Sequence, residues 1–300
     1  MVRQLARSGA TRQTLLASLT LAALLAPPRA VPAGQTPTFS ARTEMVRVDV
    51  MVRAGGQPVR GLQADDFLVV DSGVPQTVDL VSFEQLPLNI VLALDISNSV
   101  AGERLAHLRA AGHAVLDGMR RGDQVALLSF NDGVRLDAPL AADTQRLVRA
   151  LEWSSAGGDT SLVDATYAAM MIGESDQRRT LVIVFSDGVD TSSWLRPEAV
   201  LDVAKRSDVV VYGVSVRGVP GSPFLTSLAD QTGGRRFDVD SSRDLSAAFA
   251  DVLEEFRTRY VIGYTPRGVA DGGWHPITVQ VKGRRITVRA RPGYLAGGAG

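Results

Sequence analysis

A chain of 300 residues, with 45% hydrophobic and 21% charged residues, is long enough for one large domain and a small companion. This composition is ordinary for a globular protein and excludes a disordered chain or a protein with many membrane spans. The formal net charge is zero, but the first 33 residues hold four arginines and no acidic residue, which leaves 28 basic against 32 acidic residues in the rest. This acidic remainder excludes a basic surface for nucleic acid, and we expect no nucleic-acid partner.

The segment at residues 1–33 has the pattern of a secretory signal peptide. Three arginines precede an apolar run at residues 15–26, and Ala30 and Ala33 offer small-residue cleavage sites. The run is shorter than the ~20 residues that a membrane-spanning helix needs. Membrane attachment is therefore expected only if this segment stays uncleaved. We expect an exported protein that is periplasmic, extracellular or part of the cell envelope.

Two segments, residues 45–85 and 258–295, read as β-strands without helices. In both segments apolar and polar residues alternate, which is the period of a half-buried strand. Lys282 and Gly283 separate two of these runs, and a hairpin is predicted there. We expect the two segments to form one small β domain, preceded by a linker at residues 34–44 and followed by a flexible tail at 296–300. The predicted strands cover residues 46–52, 67–70, 77–83, 260–264, 277–281 and 286–290.

Between these segments, residues 86–257 alternate between strands and helices. Residues 88–94 are nearly all apolar, as expected of a parallel strand that is buried on both faces. Strands that alternate with helices predict an α/β fold, with a doubly wound, mostly parallel sheet and helices on both faces. The other predicted elements are strands at 125–130, 134–136, 181–186 and 209–216, and helices at 161–172 and 245–256, with a further helix that begins at Pro197. A helix is also predicted after the first apolar strand, because residues 105, 108, 115, 116 and 119 form one apolar stripe.

Oxygen-bearing side chains follow the predicted strands at the points where the strands end. Asp95, Ser97 and Ser99 come directly after the first apolar strand, Asp187 follows another, and Thr160 lies in a loop before a helix. Because the carboxyl ends of parallel strands form the binding crevice of such a sheet, we expect these side chains to meet there. Two carboxylates and three hydroxyls suit a hard cation such as Mg²⁺. If the carboxylates act through water, an open coordination position would favour a carboxylate from a partner.

These residues resemble those of the von Willebrand factor A family, whose members are also called integrin I domains. Asp95, Ser97 and Ser99 in their Asp-x-Ser-x-Ser spacing, with Thr160 and Asp187, match the family's metal-ion-dependent adhesion site in residue type and order. The resemblance covers the predicted α/β segment. It implies a Mg²⁺ or Mn²⁺ site, a protein partner that supplies an Asp or Glu carboxylate, and no catalysis. The flanking strands resemble those of a bacterial subgroup of exported proteins that carry this domain.

Other functions explain some of these residues differently. Serine and aspartate at strand ends also cap helices, and Thr160 can cap the helix after it. A phosphoryl-transfer enzyme uses a strand-end aspartate with Mg²⁺, but it needs a positive charge at the phosphate, and neither Lys205 nor Lys282 follows an apolar strand there. A structural domain without metal is a third alternative. Trp153 and Trp194 flank the candidate loops, where they either contact a ligand or pack at the edge.

Overall fold

The structure is a computed structural model, which describes residues 45–83, 86–176, 178–217, 222–283 and 286–297. The expected signal peptide and linker lie outside these residues. Within the described residues, no helix is both long enough and apolar enough to cross a membrane.

The helices are α1 (Glu103–Asp117), α2 (Gln145–Trp153), α3 (Leu162–Gly173), α4 (Pro197–Ala204), α5 (Pro223–Gln231) and α6 (Leu245–Arg257). The strands are β1 (Val46–Ala54), β2 (Gln57–Pro58), β3 (Phe67–Asp71), β4 (Val74–Gln76), β5 (Leu80–Ser82), β6 (Leu88–Asp95), β7 (Gln124–Phe130), β8 (Val134–Ala141), β9 (Arg179–Phe185), β10 (Val210–Val216), β11 (Arg236–Val239), β12 (Tyr260–Tyr264), β13 (Gly273–Val281), β14 (Thr287–Arg289) and β15 (Gly293–Ala296).

The middle of the chain forms a six-stranded sheet in the order β11-β10-β9-β6-β7-β8. The first five strands of this order run parallel, and β8 joins the edge antiparallel to β7. Every residue of the apolar strand β6 is buried, as expected for a central parallel strand covered on both faces. The predicted doubly wound, mostly parallel sheet is confirmed.

Helices cover both faces of this sheet, because alternate residues of each strand point to opposite sides. On β6, Ile90 and Leu92 belong to a core shared with α1, α2 and α6. Val91 and Ala93 belong to a second core shared with α3, α4 and α5. The sheet is therefore the middle of three layers, and its strand ends are the positions that the helices leave open.

The flanking β segments pair with each other, as predicted. Strand β1 lies antiparallel to β12, with Val46 opposite Tyr264 and Val50 opposite Tyr260, and it also pairs with β14. Two sheets result, one with β14-β1-β12-β5 and the short β2, and the other with β15-β13-β3-β4. Their apolar faces share one core, in which Val48, Phe67 and Ile277 are buried. We call these two sheets the β region.

The hairpin predicted at Lys282 and Gly283 is wrong. Strand β13 pairs with β3 and β15, whereas β14 pairs with β1 in the other sheet. Val288 lies opposite Val52 in that pairing, and both contribute to the core between the sheets. The chain crosses between the sheets after β13, because this crossing buries the apolar side of β14.

The β region is attached to the central sheet at the edge where the parallel strands begin. The guanidinium of Arg179, the first residue of β9, pairs with Asp49 of β1. Arg291 pairs with Asp208, just before β10, at 3.0 Å. Residues 43–300 belong to one compact unit. The opposite edge, where β6 and β9 end, faces away from these contacts, and we call it the carboxyl edge.

Candidate metal-binding site

Three chain connections meet at the carboxyl edge. Strands β6 and β9 are hydrogen-bonded neighbours, with Leu94 opposite Phe185. Asp95 ends β6 and Asp187 follows β9 by two residues, so the shared register brings the two carboxylates to the same end of the sheet. The third connection joins α2 to α3 and carries Thr160. The structure thus gathers the segments that sequence reasoning had placed together.

Hydrogen bonds link four of the five candidate residues. Asp95 Oδ1 accepts from the backbone N–H of Ser97 at 2.9 Å. The hydroxyls of Ser97 and Ser99 are 3.1 Å apart, and Ser99 donates to Asp187 Oδ1 at 2.5 Å. Asp95, Ser97 and Asp187 are buried, whereas Ser99 is exposed. The cluster therefore opens to solvent on the side of Ser99.

Thr160 lies against the turn that carries Asp187. A Cβ atom placed on Gly188 would be 3.5 Å from the Thr160 hydroxyl oxygen. The backbone carbonyl of Thr160 accepts from the N–H groups of Thr191 and Ser192 at 2.8 and 3.1 Å, which ties its loop to the β9–α4 connection. Thr160 is a buried residue, but within the described part of the chain its hydroxyl has no hydrogen-bond partner, so this oxygen is available to a ligand.

The loop before Thr160 is also tied to the Ser97 connection. Asn98 N–H donates to the carbonyl of Gly158 at 3.1 Å, and the Gly157 N–H donates to the carbonyl of Ile96 at 2.8 Å. Gly158 has a φ of +83°, and a Cβ there would lie 2.3 Å from Asp132 Oδ2. Only glycine fits this position without strain, so the glycine holds the Thr160 loop in place.

The proposed capping and turn roles do not describe Ser97, Thr160 or Asp187. Ser161, not Thr160, is the N-cap of α3, and no side-chain cap hydrogen bond is formed there. Ser97 precedes a short 3₁₀ turn and also makes no side-chain cap hydrogen bond. The Asp187 carboxylate bonds to Ser99 and not to its own turn. The side chains of Ser97, Ser99 and Asp187 instead bond to one another, as ligands of a shared group would.

Burial raises the pKa of Asp95 above its ordinary value. Hydrogen bonds from Ser97 and Ser186 oppose this rise, and the nearby charge of Asp187 adds to it. A carboxylate in such surroundings is stabilised by a cation placed beside it.

The donor set fits a hard divalent cation. It contains two carboxylates and three hydroxyls, which are all oxygen donors of the kind that Mg²⁺ and Mn²⁺ accept. Across the residues that the structure describes, no group of three or more His, Cys, Asp and Glu side chains is arranged to hold a metal, so a ligand set here depends on the hydroxyls as well as the two carboxylates.

Sequence reasoning missed two neighbours of the cluster. Ser186 donates to Asp95 Oδ2 at 2.8 Å, and Arg104 donates to Asp187 Oδ2 at 3.0 Å. One signal for Arg104 was available: it is the second residue of α1, where the helix dipole disfavours a positive charge. An arginine there indicates a compensating anion nearby.

The two tryptophans that flank the candidate loops in sequence are not packed against the protein. Trp153, at the end of α2, is 84% exposed, and Trp194, in the β9–α4 connection, is 93% exposed. The backbone N–H of Trp194 donates to Asp164 Oδ2 at 2.9 Å, which fixes its loop on α3. Both indoles are therefore accessible to a partner.

Comparison with known proteins identifies the family. The sequence profile of the von Willebrand factor type A domain matches residues 89–251, more than half of the chain. This chain belongs to the von Willebrand factor type A family. We call residues 89–251 the A domain; they include all five candidate side chains, while the β region lies outside the match.

Curated relatives are similar to this chain at low identity. The inter-alpha-trypsin inhibitor heavy chain H4 of Bos taurus is 25% identical over 233 residues, which cover 70% of this chain and 25% of that protein. Heavy chain H3 of Mesocricetus auratus is 24% identical over 206 residues, covering 62% and 23%. The chain thus spans about a quarter of the length of these relatives.

Solved structures confirm the fold of the A domain. A von Willebrand factor type A protein from Catenulispora acidiphila has a TM-score of 0.52 and 13% identity, covering 84% of this chain and 72% of that one. Proximal thread matrix protein 1 from the mussel byssus, solved with a zinc-occupied MIDAS motif, has a TM-score of 0.50 and 17% identity, covering 62% and 49%. At these identities the likeness concerns the fold alone.

Proposed function

We propose that this chain is a non-catalytic, divalent-cation-dependent binding module that grips an acidic residue of a protein partner. The observation that carries the proposal is the convergence of five oxygen-bearing side chains from three separate connections on one edge of the sheet. Four of the five residues are joined by hydrogen bonds, through the backbone N–H of Ser97 in the case of Asp95. The five are Asp95, Ser97, Ser99, Thr160 and Asp187.

Each residue of the cluster has a distinct role in this proposal. The hydroxyls of Ser97, Ser99 and Thr160 are neutral ligands, and the carboxylates of Asp95 and Asp187 balance the charge of the cation. The cation supplies the Lewis acidity that holds a carboxylate of the partner. Ser99, the exposed member, marks the side from which that carboxylate approaches.

We assign Mg²⁺ or Mn²⁺ to the site. The mussel protein with a zinc-occupied MIDAS motif supports metal binding in this fold. The donors here are all oxygen, which favours a hard cation over zinc, whose usual protein sites contain nitrogen or sulfur ligands.

The signal-like first 33 residues support export, and we propose a periplasmic, extracellular or cell-envelope location. Assignment to a bacterial subgroup of exported proteins belongs to the same proposal, since the curated relatives named above are mammalian. The division into signal peptide, linker, β segments and A domain is likewise proposed. In this arrangement the carboxyl edge lies on the side of the A domain that faces away from the β region.

Isothermal titration with Mg²⁺ and with Mn²⁺ tests the proposal directly. We expect the wild-type protein to bind one cation and Thr160→Ala to lose at least tenfold in affinity with little change in Tm, because this hydroxyl bonds to no described residue. Thr258→Ala is the matched control: Thr258 is buried at the end of α6 and donates to the carbonyl of Glu254 at 3.0 Å. It should lose stability and keep cation affinity. Folded wild-type protein that binds neither cation would refute the proposal.

A second experiment addresses the partner. Immobilised protein is incubated with cell-envelope extract in Mg²⁺ or in EDTA, and bound proteins are compared with those bound by Thr160→Ala. The proposal requires capture that disappears in EDTA and in the variant. Capture that persists in EDTA and with Thr160→Ala would contradict cation-dependent binding of a partner.

A further inference from the structure

The two oxygens of Asp187 have different partners. Oδ1 accepts from the Ser99 hydroxyl inside the cluster, and Oδ2 accepts from Arg104 Nη1 at 3.0 Å. The Asp187 side chain is fully buried, whereas that of Arg104 is 45% exposed. The same Nη1 also donates to the backbone carbonyl of Ser99 at 3.0 Å. One guanidinium therefore bridges two of the three connections that form the cluster.

The position of Arg104 at the start of α1 is by itself electrostatically unfavourable. Arg104 is the second residue of α1, where the partial positive charge of the helix end disfavours another cation. The pairing with a buried carboxylate offsets this cost, because Asp187 would otherwise be a buried charge with no positive partner. Arg104 therefore depends on Asp187 for its position, and Asp187 depends on Arg104 for its counter-charge.

We propose that Arg104 competes with the divalent cation for Asp187 and thereby sets the cation affinity of the site; this inference rests on the proposed function. A cation held by the cluster shares the charge of Asp187 with the guanidinium, and the two positive charges repel each other. Arg104 thus weakens cation binding in the absence of a partner.

A carboxylate from the partner changes this balance. It brings a negative charge beside both positive groups, and the half-exposed guanidinium has further N–H groups that can donate to it. Cation and carboxylate should therefore strengthen each other's binding, as linkage requires. Under this proposal Arg104 adds to the cation's preference for acidic partners.

The central experiment is isothermal titration of Mg²⁺ into wild-type protein, Arg104→Gln and Arg104→Lys. We expect Arg104→Gln to bind Mg²⁺ about threefold to tenfold more tightly, the range given by losing a partly exposed charge repulsion. Arg104→Lys should stay close to wild type, since it keeps the charge. Arg120→Gln is the matched control: Arg120 is 42% exposed and pairs with Glu254 away from the carboxyl edge, so its variant has the same net charge and should bind like wild type.

Thermal unfolding provides a readout that a merely structural role would not produce. In EDTA, Arg104→Gln should melt below wild type because Asp187 loses its counter-charge, yet its gain in Tm on adding Mg²⁺ should exceed that of wild type. Repeating the titration with acetate as a carboxylate probe should tighten Mg²⁺ binding in wild type more than in Arg104→Gln.

The outcomes separate this inference from the proposed function. If wild type binds Mg²⁺ and Arg104→Gln binds it equally or more weakly, competition by Arg104 is refuted and the metal site stands. If acetate affects both proteins equally, the role of Arg104 toward the carboxylate is refuted. If neither wild type nor any variant binds a cation, both proposals fail.

Discussion

The hydroxyl of Ser186 donates a hydrogen bond of 2.8 Å to Asp95 Oδ2, joining the ends of two neighbouring parallel strands. The other oxygen of Asp95 accepts from the backbone of Ser97, so both oxygens are already bonded within the protein. Asp95 is fully buried, and its pKa lies above the ordinary value because burial disfavours the charged form. Ionised Asp95 therefore lowers the stability of the folded protein, and a bound cation would reduce this loss.

Asp95→Asn should consequently separate stability from cation binding. In the asparagine variant, Oδ1 can still accept from Ser97 and the amide can donate to Ser186, while the buried charge is removed. We expect Tm in EDTA to rise by about 2–4 °C, which corresponds to ~1 kcal/mol in a protein of this size. Mg²⁺ binding should be lost in calorimetry. Asp187→Asn is the comparison: it should also lose Mg²⁺ binding but should not gain stability, because Asp187 is already paired with Arg104. An Asp95→Asn protein that melts below wild type in EDTA would contradict this account.

Gly158→Ala tests whether the loop conformation positions Thr160. The positive φ and the approach of Asp132 predict a loss of about 1–3 kcal/mol in the free energy of unfolding. The displaced loop should also bind Mg²⁺ less tightly. Gly157→Ala provides the control, since a Cβ at Gly157 would meet no atom within 4 Å. Urea unfolding and Mg²⁺ titration of the two variants should differ clearly; equal behaviour would show that the Gly158 backbone is not needed for the site.

The buried end of α6 predicts a pH dependence of stability. Burial alone would raise the pKa of Glu255, but hydrogen bonding and charge from Arg235, together with the charge of Arg259, bring it below its ordinary value of 4.5. Because the folded pKa is the lower one, this stabilisation is present above about pH 4.5 and is lost as the pH falls through the folded pKa. Glu255 also accepts from the Tyr212 hydroxyl at 2.9 Å.

Glu255→Gln should therefore be less stable than wild type at pH 7, by about 2 kcal/mol, the usual worth of hydrogen bonds to a charged group. The difference should shrink as the pH is lowered below 4.5. Glu254→Gln is the neighbouring control: Glu254 is largely exposed and lies 3.8 Å from Arg120, so its variant should match wild type throughout. Urea unfolding between pH 3 and 7 measures both variants. A Glu255→Gln deficit that is constant over this range would contradict the assigned ionisation.

The buried strands and the positions of the candidate ligands could be predicted from the sequence. The apolar run at residues 88–94 favours a strand in a sheet covered on both faces, and its end fixes where Asp95 lies. Asp187 follows in the same way from β9. The glycines and hydroxyls around Thr160 indicated a tight loop before a helix, and the loop is found there.

Other features depend on long-range contacts that no local pattern specifies. Helix α2 is an exception: it was not predicted although Leu147 and Leu151, four residues apart, mark a buried helical face. Alternation identified β14 as a strand but could not identify β1 as its partner. The pairing of Arg104 with Asp187 depends on how α1 is rotated against the sheet, which is set by packing over the whole domain.

The insertion of the A domain has a mechanical consequence. The chain leaves the β region after β5 and returns to it through α6 into β12, and these two strands are antiparallel neighbours with Ser82 opposite Val261. Both covalent links thus emerge side by side, at the edge opposite the candidate site. A tethered partner that pulls on the site would draw β5 and β12 in the same direction, so the tension would not slide one strand past the other.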